Sequence, residues 1–395
     1  MVLRIAERMK VLELSGIRKV NEKALAMERQ GEKVLHFELG RPDFDTPEYI
    51  KKACMADLEK GDVFYTSNFG TMELRKAIAW KLKTQNHIDY RPEEILVTVG
   101  LSEAVYEAMA ALLDPGDEIL VPNPGWLNYK NIPKTLGAVP IFYTLKEENE
   151  YQLDLDEIRS KITDKTRALV LITPSNPTGG VLCERVLKEL ADIAIQHDLM
   201  VLSDEVYERL LYDDAEHRSI AALPGMKERT VTLNGFSKAY SMTGWRLGYA
   251  AAPEELIRTM NKLHQHVTTC APSFVQQAGV TALLDEKEEV RDMVKEYARR
   301  RDCAVEAINA TPGIHCLKPK GAFYIFINIK GLGMTGDEFA PYLLEKAGVA
   351  MVPGSVFGPE GKYYIRMSFA NSLENVQEGC RRLAQVCAAI MEKKG

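Results

Sequence analysis

Paired cysteines are missing from this chain. Its seven cysteines are scattered at Cys54, Cys183, Cys270, Cys303, Cys316, Cys380 and Cys387, and no two form C-x-x-C. Such an odd, sparse set in a long chain argues against a disulfide scaffold and reads as the reduced thiols of a cytoplasmic protein. Metal-ligand spacing is missing among the seven histidines as well. His264 and His266 stand two apart, the wrong step for one helix face, so no metal site is expected. Long apolar runs are absent. No segment approaches the roughly 18 uninterrupted apolar residues of a membrane helix, so no membrane partner is expected. No basic run interrupts a formal net charge of −6, so nothing recommends a nucleic-acid surface. Repeats and low-complexity segments are also lacking. In the opening MVLRIAERMKVLELSG, charges break every short apolar run, which predicts an amphipathic helix rather than a signal peptide.

What remains is ordinary globular material, 46% hydrophobic and 27% charged. At 395 residues the chain is too long for one core, which suggests a large domain and a smaller one. Seven apolar stretches read as strands: EEILVTVG, EILVPNP, VPIFYTL, RALVLITPSNP, LMVLSDEVY, TVTLNGFSK and WRLGYAAA. Helical stretches such as SEAVYEAMAALL and CERVLKELADIAIQH lie between several of them. Near-continuous apolar strands with helical crossovers predict an α/β fold, with a mostly parallel seven-stranded sheet covered by helices. After Ala252, long charge-rich helical stretches surround the short strands GAFYIFINIK and YYIRMSFA, as in a smaller α+β domain. The expected division is 46–287 for the large domain, with 1–45 and 288–395 together forming the small one.

One motif is misleading. GLGMTG, Gly331 to Gly336, matches G-x-G-x-x-G. The acidic residue expected about twenty positions later for a ribose is missing, and Thr335 with Glu338 instead predicts a helix-capping box.

The chemistry gathers where the predicted strands end. Lys238 follows a buried strand, where desolvation lowers an amine's pKa and makes it a nucleophile. Asp204 and Tyr207 end another strand. Asn176 follows a third. Gly100 ends a fourth and opens a helix at Leu101 and Ser102, whose free N–H groups suit an anion. Trp126 follows a fifth. Arg246 supplies a fixed charge suited to a phosphate. In open α/β sheets such strand ends converge on one crevice. An amine, an acid for a pyridine nitrogen, donors for a phenolic oxygen, a phosphate cradle and an aromatic plate describe a site for pyridoxal phosphate.

With these motifs in order, G-R-P-D-F-D-T-P, T-V-G-x-S-E-A, S-N-P-T-G, S-D-E-V-Y and S-K-A-Y-S-M-T-G-W-R-L-G-Y, the chain resembles the fold-type I, class I/II aminotransferases of the aspartate aminotransferase-like superfamily. The resemblance implies pyridoxal 5'-phosphate and a ping-pong transfer of an amino group from an L-amino acid to a 2-oxo acid. It implies that Lys238 forms the Schiff base and shuttles the proton, and that Asp204 pairs with the ring nitrogen. Tyr207 and Asn176 would donate to the phenolic oxygen, and Trp126 would stack on the ring. Arg246, Ser102 and the amides of Leu101 and Ser102 would hold the phosphate, with Ser237 beside them. Arg366 would grip the substrate carboxylate, and Gly40 would let backbone approach the substrate. Tyr65 would reach the phosphate of a neighbouring subunit, which implies a homodimer with shared active sites.

The sequence departs from the family at two places. Gly235 replaces a serine that often contacts phosphate. No cation follows T-V-G, as it does in some dicarboxylate-specific relatives, which leaves Arg41 as a candidate for a distal charge. Tyr324 and Phe323 are expected to line the pocket. Other readings stay open: another pyridoxal-phosphate enzyme, such as a C–S lyase, a decarboxylase or a cyclopropane-forming synthase, or a cofactor-binding regulator.

Overall fold

A computed structural model describes residues 3–12, 14–285 and 287–393. Seven strands form its main sheet: β1 (Ile95–Thr98), β2 (Glu118–Asn123), β3 (Val139–Thr144), β4 (Thr166–Ile172), β5 (Met200–Asp204), β6 (Thr230–Gly235) and β7 (Gly248–Ala251). Their spatial order is β1-β7-β6-β5-β4-β2-β3. All neighbours are parallel except around β7, which runs antiparallel to both β1 and β6. Adjacent residues of one strand enter different cores. Leu96, Val170 and Leu202 pack with Val105, Met109, Ile257 and Met260 of the helices Leu101–Leu112 and Glu254–Val267. On the other face, Val97 packs with Ile78 and Val275, and Leu169 and Val201 pack with Leu187 and Leu190. Burial on both sides is why these strands carry no polar alternation.

A second body is built on an antiparallel three-stranded sheet, with Tyr364–Ser368 between Val352–Pro353 and Tyr324–Asn328. Helices Glu289–Asn309 and Leu373–Glu392 supply Tyr297, Ile308, Val376 and Leu383 to its core, beside Phe323, Ile325, Ile365 and Met367. Phe37 joins this core, and Leu35–His36 pairs in parallel with Val349–Ala350. Segments from the two ends of the chain thus share one core. Tyr207, from the main sheet's edge, packs into it too.

The opening stretch differs from the expected amphipathic helix. It holds one helical turn, Glu7–Lys10, with every residue of that turn exposed, and a separate helix, Gly16–Arg29. Met1, Val2 and Glu13 lie outside the described residues. A short helix with nothing to bury its apolar side does not propagate. The GLGMTG segment is the predicted cap. Thr335 accepts from the Glu338 amide, and the Glu338 side chain accepts from the Thr335 amide at 2.8 Å, opening helix Gly336–Ala347. No helix among the described residues is long and apolar enough to cross a membrane.

Candidate active site

The loop after β6 carries Lys238, half-buried, against the small sheet and the Gly40 segment. Its Nζ donates to the carbonyl of Gly40 at 2.5 Å. The ring centroids of Tyr207 and Phe323 lie 5.8 and 5.7 Å from it. Burial lowers the amine to about 8, and the guanidiniums of Arg366 and Arg246 add to this against the pull of Asp204. The charges that act on this one amine are therefore Asp204, Arg246 and Arg366, three of the residues singled out in the sequence.

Asp204 ends β5 and is buried. Its Oδ2 accepts from the Tyr129 hydroxyl at 2.9 Å and its Oδ1 from the Val206 amide at 3.2 Å. Burial nonetheless raises its carboxyl to about 6, because neither donor carries a charge. Trp126 meets Tyr129 edge to face, with centroids 5.6 Å apart. The hydroxyls of Tyr207 and Tyr324 lie 2.8 Å apart, and burial raises the Tyr207 phenol well above its ordinary range.

Arg366 lies in the middle strand of the small sheet and is almost wholly buried. Nη1 donates to Asn176 Oδ1 at 3.0 Å and Nη2 to the Glu38 carbonyl at 2.6 Å. Its guanidinium covers the rings of Tyr324 at 4.3 Å and Phe357 at 4.8 Å. Nε is buried with no hydrogen-bond partner among the described residues. A buried guanidinium held by neutral groups is a receptor for an anion.

Arg246 arrives from the opposite direction. Because β7 is antiparallel, its start lies at the edge where β1 and β6 end. Arg246, at φ 53°, turns just before that start and donates from Nη1 to the Thr243 carbonyl at 3.2 Å. A Cβ on Gly100 would lie 2.3 Å from Arg246 Nη2, so only glycine admits the guanidinium here. Gly100, at φ 79°, opens helix Leu101–Leu112. The first amides of that helix, Leu101 and Ser102, have no carbonyl inside it to bond. A cation laid on a helix start is an anion cradle.

Contacts link Lys238 with Gly40 and Tyr207, and Tyr207 through Tyr324 with Arg366 and Asn176, while the charges of Asp204, which reaches Trp126 through Tyr129, and of Arg246, which lies against Gly100, act on the same amine. Gly40 is tight: a Cβ there would lie 2.1 Å from the Tyr324 hydroxyl. Ser237 is buried directly before Lys238. Ser102 and Arg41 are exposed. Tyr65 stands apart from the set within this chain, 86% exposed. Gly235 has a local reason: a Cβ there would come within 3.0 Å of the Leu247 carbonyl, across the β6–β7 pair. Sequence reading passed over Tyr129, Phe357 and the Glu38 carbonyl. Only Tyr129 left a signal, three residues after Trp126 in VPNPGWLNY.

With this geometry in place, comparison with known proteins is direct. The chain belongs to the aminotransferase class I and II family, whose model matches residues 32–383. It is similar to an aspartate aminotransferase of Pyrococcus abyssi, 44% identical over 393 residues and covering 99% of each chain. It is also similar to aromatic-amino-acid aminotransferase 2 of Thermococcus litoralis, 42% identical over 393 residues with the same coverage. Among solved structures, aspartate aminotransferase from Thermus thermophilus with maleate aligns with a TM-score of 0.94 at 37% identity, covering 98% of this chain and all of that one. The protein is thus a fold-type I aminotransferase-family enzyme.

Proposed function

We propose that the protein is a pyridoxal-phosphate-dependent aminotransferase that moves the amino group of an L-amino acid to a 2-oxo acid in two half-reactions. One observation carries this reading: the Lys238 amine donates to the Gly40 carbonyl beside the rings of Tyr207 and Phe323, with the charges of Asp204, Arg246 and Arg366 acting on it. The residues fit the cofactor in two further ways. Asp204 is a buried carboxyl lacking a contacting cation, as a ring nitrogen requires, and the Gly100 turn admits Arg246 where a phosphate needs it.

Pyridoxal phosphate, when bound, supplies the electron sink for charge left at the substrate Cα. The chain does the rest. Lys238 Nζ would anchor the cofactor covalently and, as a free amine, would take the substrate Cα proton as general base. Its lowered pKa leaves a usable share of free amine near neutral pH. Asp204 holds a proton at the ring nitrogen, and Tyr129 keeps that carboxylate oriented. Tyr207 and Asn176 would donate to the phenolic oxygen, and Trp126 would stack on the ring. Arg246, Ser102, Ser237 and the amides of Leu101 and Ser102 hold the phosphate. Arg366 grips the substrate α-carboxylate in a two-pronged pair.

We divide the chain into a cofactor-binding domain at 46–287 and a small domain, 1–45 with 288–395, that closes over the substrate. The core shared by Leu35 and Phe37 with Ile365, Val376 and Leu383 supports that grouping, and the bonds from Lys238 to Gly40 and from Arg366 to Asn176 join the two domains. Tyr65 serves the cofactor of a second copy. Its loop presents Val63, Phe64 and Tyr65 at 55, 77 and 86% exposure, an apolar run suited to a homodimer interface. The seven free cysteines are in keeping with a cytoplasmic enzyme.

The test is a half-reaction panel. Single L-amino acids are added to the purified enzyme and its visible cofactor band is followed. Loss of the band, restored by 2-oxoglutarate or pyruvate, is the expected result. Release of pyruvate and ammonia from cysteine-type substrates with no oxo acid present would replace this reading with a C–S lyase.

A further inference from the structure

Beneath the Gly100 turn lies a buried ionic cluster. Helix Leu101–Leu112 carries Glu103 and Glu107 one turn apart, and His264 of helix Glu254–Val267 meets both. His264 Nδ1 lies 3.0 Å from Glu107 Oε1 and 3.6 Å from Glu103 Oε1. His264 and Glu107 are fully buried and Glu103 nearly so. The other oxygen of Glu103 accepts from the amide of Val99, the residue before Gly100. The Thr268 hydroxyl, past the end of His264's helix, donates to Glu103 as well. Glu103 is therefore held by His264 and Thr268 on one side and by the Val99 amide, beside the turn proposed to hold the phosphate, on the other.

That placement is a problem for an anion site. A first-turn carboxylate gains from the same helix-start amides that a phosphate needs, so its charge opposes a second anion there. His264, when protonated, is the cation facing Glu103. Burial works against its charge, but its hydrogen bonds to the carboxylates of Glu103 and Glu107 outweigh that and raise the imidazole to about 9. The same contacts hold the Glu103 carboxyl low against its own burial, whereas burial raises that of Glu107.

We propose that His264 is a positioning residue for the phosphate end of the site. It offsets the charge of Glu103 and holds that carboxylate on the Val99 amide, so the Gly100–Ser102 turn keeps its shape and its attraction for a phosphate. The inference rests on the pyridoxal-phosphate reading above.

The test uses the full chain freed of cofactor, titrated by tryptophan fluorescence with pyridoxal phosphate, pyridoxal and inorganic phosphate. His264→Gln is expected to weaken pyridoxal phosphate about tenfold, the scale of one charge-assisted contact, and pyridoxal less than about twofold. Glu103→Gln keeps an acceptor for Val99 and removes the opposing charge, so it tightens inorganic phosphate; it also serves should His264→Gln not fold. The double variant returns towards the parent. Equal weakening of pyridoxal phosphate and pyridoxal in His264→Gln, or no tightening in Glu103→Gln, overturns the proposal. If the parent itself does not prefer pyridoxal phosphate over pyridoxal, the phosphate assignment fails. If it does and His264→Gln keeps the same preference, only the role of His264 fails.

Discussion

Lys238 owes its chemistry to two effects of the same sign. Burial and the nearby Arg366 both disfavour its charged form, and Asp204 only partly opposes them. A lowered pKa means that protonation is lost as pH rises through about 8, so the rate at which the cofactor-free enzyme captures its cofactor should climb with pH and level off above that value. Arg366→Gln removes one of the two charges that lower it. The midpoint of that climb should move upward, which stopped-flow absorbance at a series of pH values would detect. The same variant should lower kcat/KM for any amino acid about a hundredfold, since hydrogen bonds to a charged group are worth about 1.5–3 kcal/mol. An unchanged midpoint would mean that Arg366 does not act on Lys238 through its charge. Lys238→Ala should abolish covalent capture, read as no cofactor fixed to the chain by borohydride, and reduce turnover by more than about a thousandfold.

At the scale of elements, the segment SDEVYE is held from behind. Glu208 pairs with Lys81 of helix Met72–Gln85 and accepts from Asn86 at 2.6 Å and Asn234 at 2.6 Å. Asn234 belongs to β6, so this buried pair ties a helix to both strand ends that carry Asp204 and Lys238. Despite burial, the charges and hydrogen bonds of Lys81, His217 and Asn86 hold the Glu208 carboxyl down at about 2. A depressed carboxyl contributes stability that is present above its unfolded value and lost as pH falls towards 2. Lys81→Met should cost about 3–5 kcal/mol, because it strands a buried carboxylate, and the urea midpoint at pH 7 would report it. The same helix explains a gap in what the sequence disclosed. Its buried face includes Arg75 and Lys81, so the apolar period that betrays a helix is broken by two cations. The inner strands were legible because burial on both faces leaves plain apolar runs. Lys238, Asp204, Asn176 and Arg246 were legible because each stands beside such a run. The Glu38 carbonyl was not, since its role rests on a contact across 328 positions, and Tyr129 left only its closeness to Trp126, its bond to Asp204 spanning 75. The pairing of His264 with Glu107, across 157 positions, is hidden for the same reason.

For the whole molecule, the proposed sharing of sites makes a sharp forecast. If the proposed homodimer forms, Lys238→Ala and Tyr65→Ala should each impair it. In a mixed dimer one site carries both defects and the other carries neither. Unfolding and refolding an equal mixture should therefore restore about a quarter of the parent's sites, by random pairing of two chains in a C2 assembly. No recovery in that mixture would mean that Tyr65 does not serve a partner's site. The reversed strand β7 has a consequence of another kind. It lies between β1 and β6, yet it is the last of the seven to be made. The first strand must wait for Gly248–Ala251 before it gains a neighbour, a pairing of long reach in sequence and therefore slow. Arg246 arrives with that same strand. During refolding, the capacity to hold a phosphate should thus appear together with closure of the sheet, and the cofactor would act as a clock for the final step of assembly.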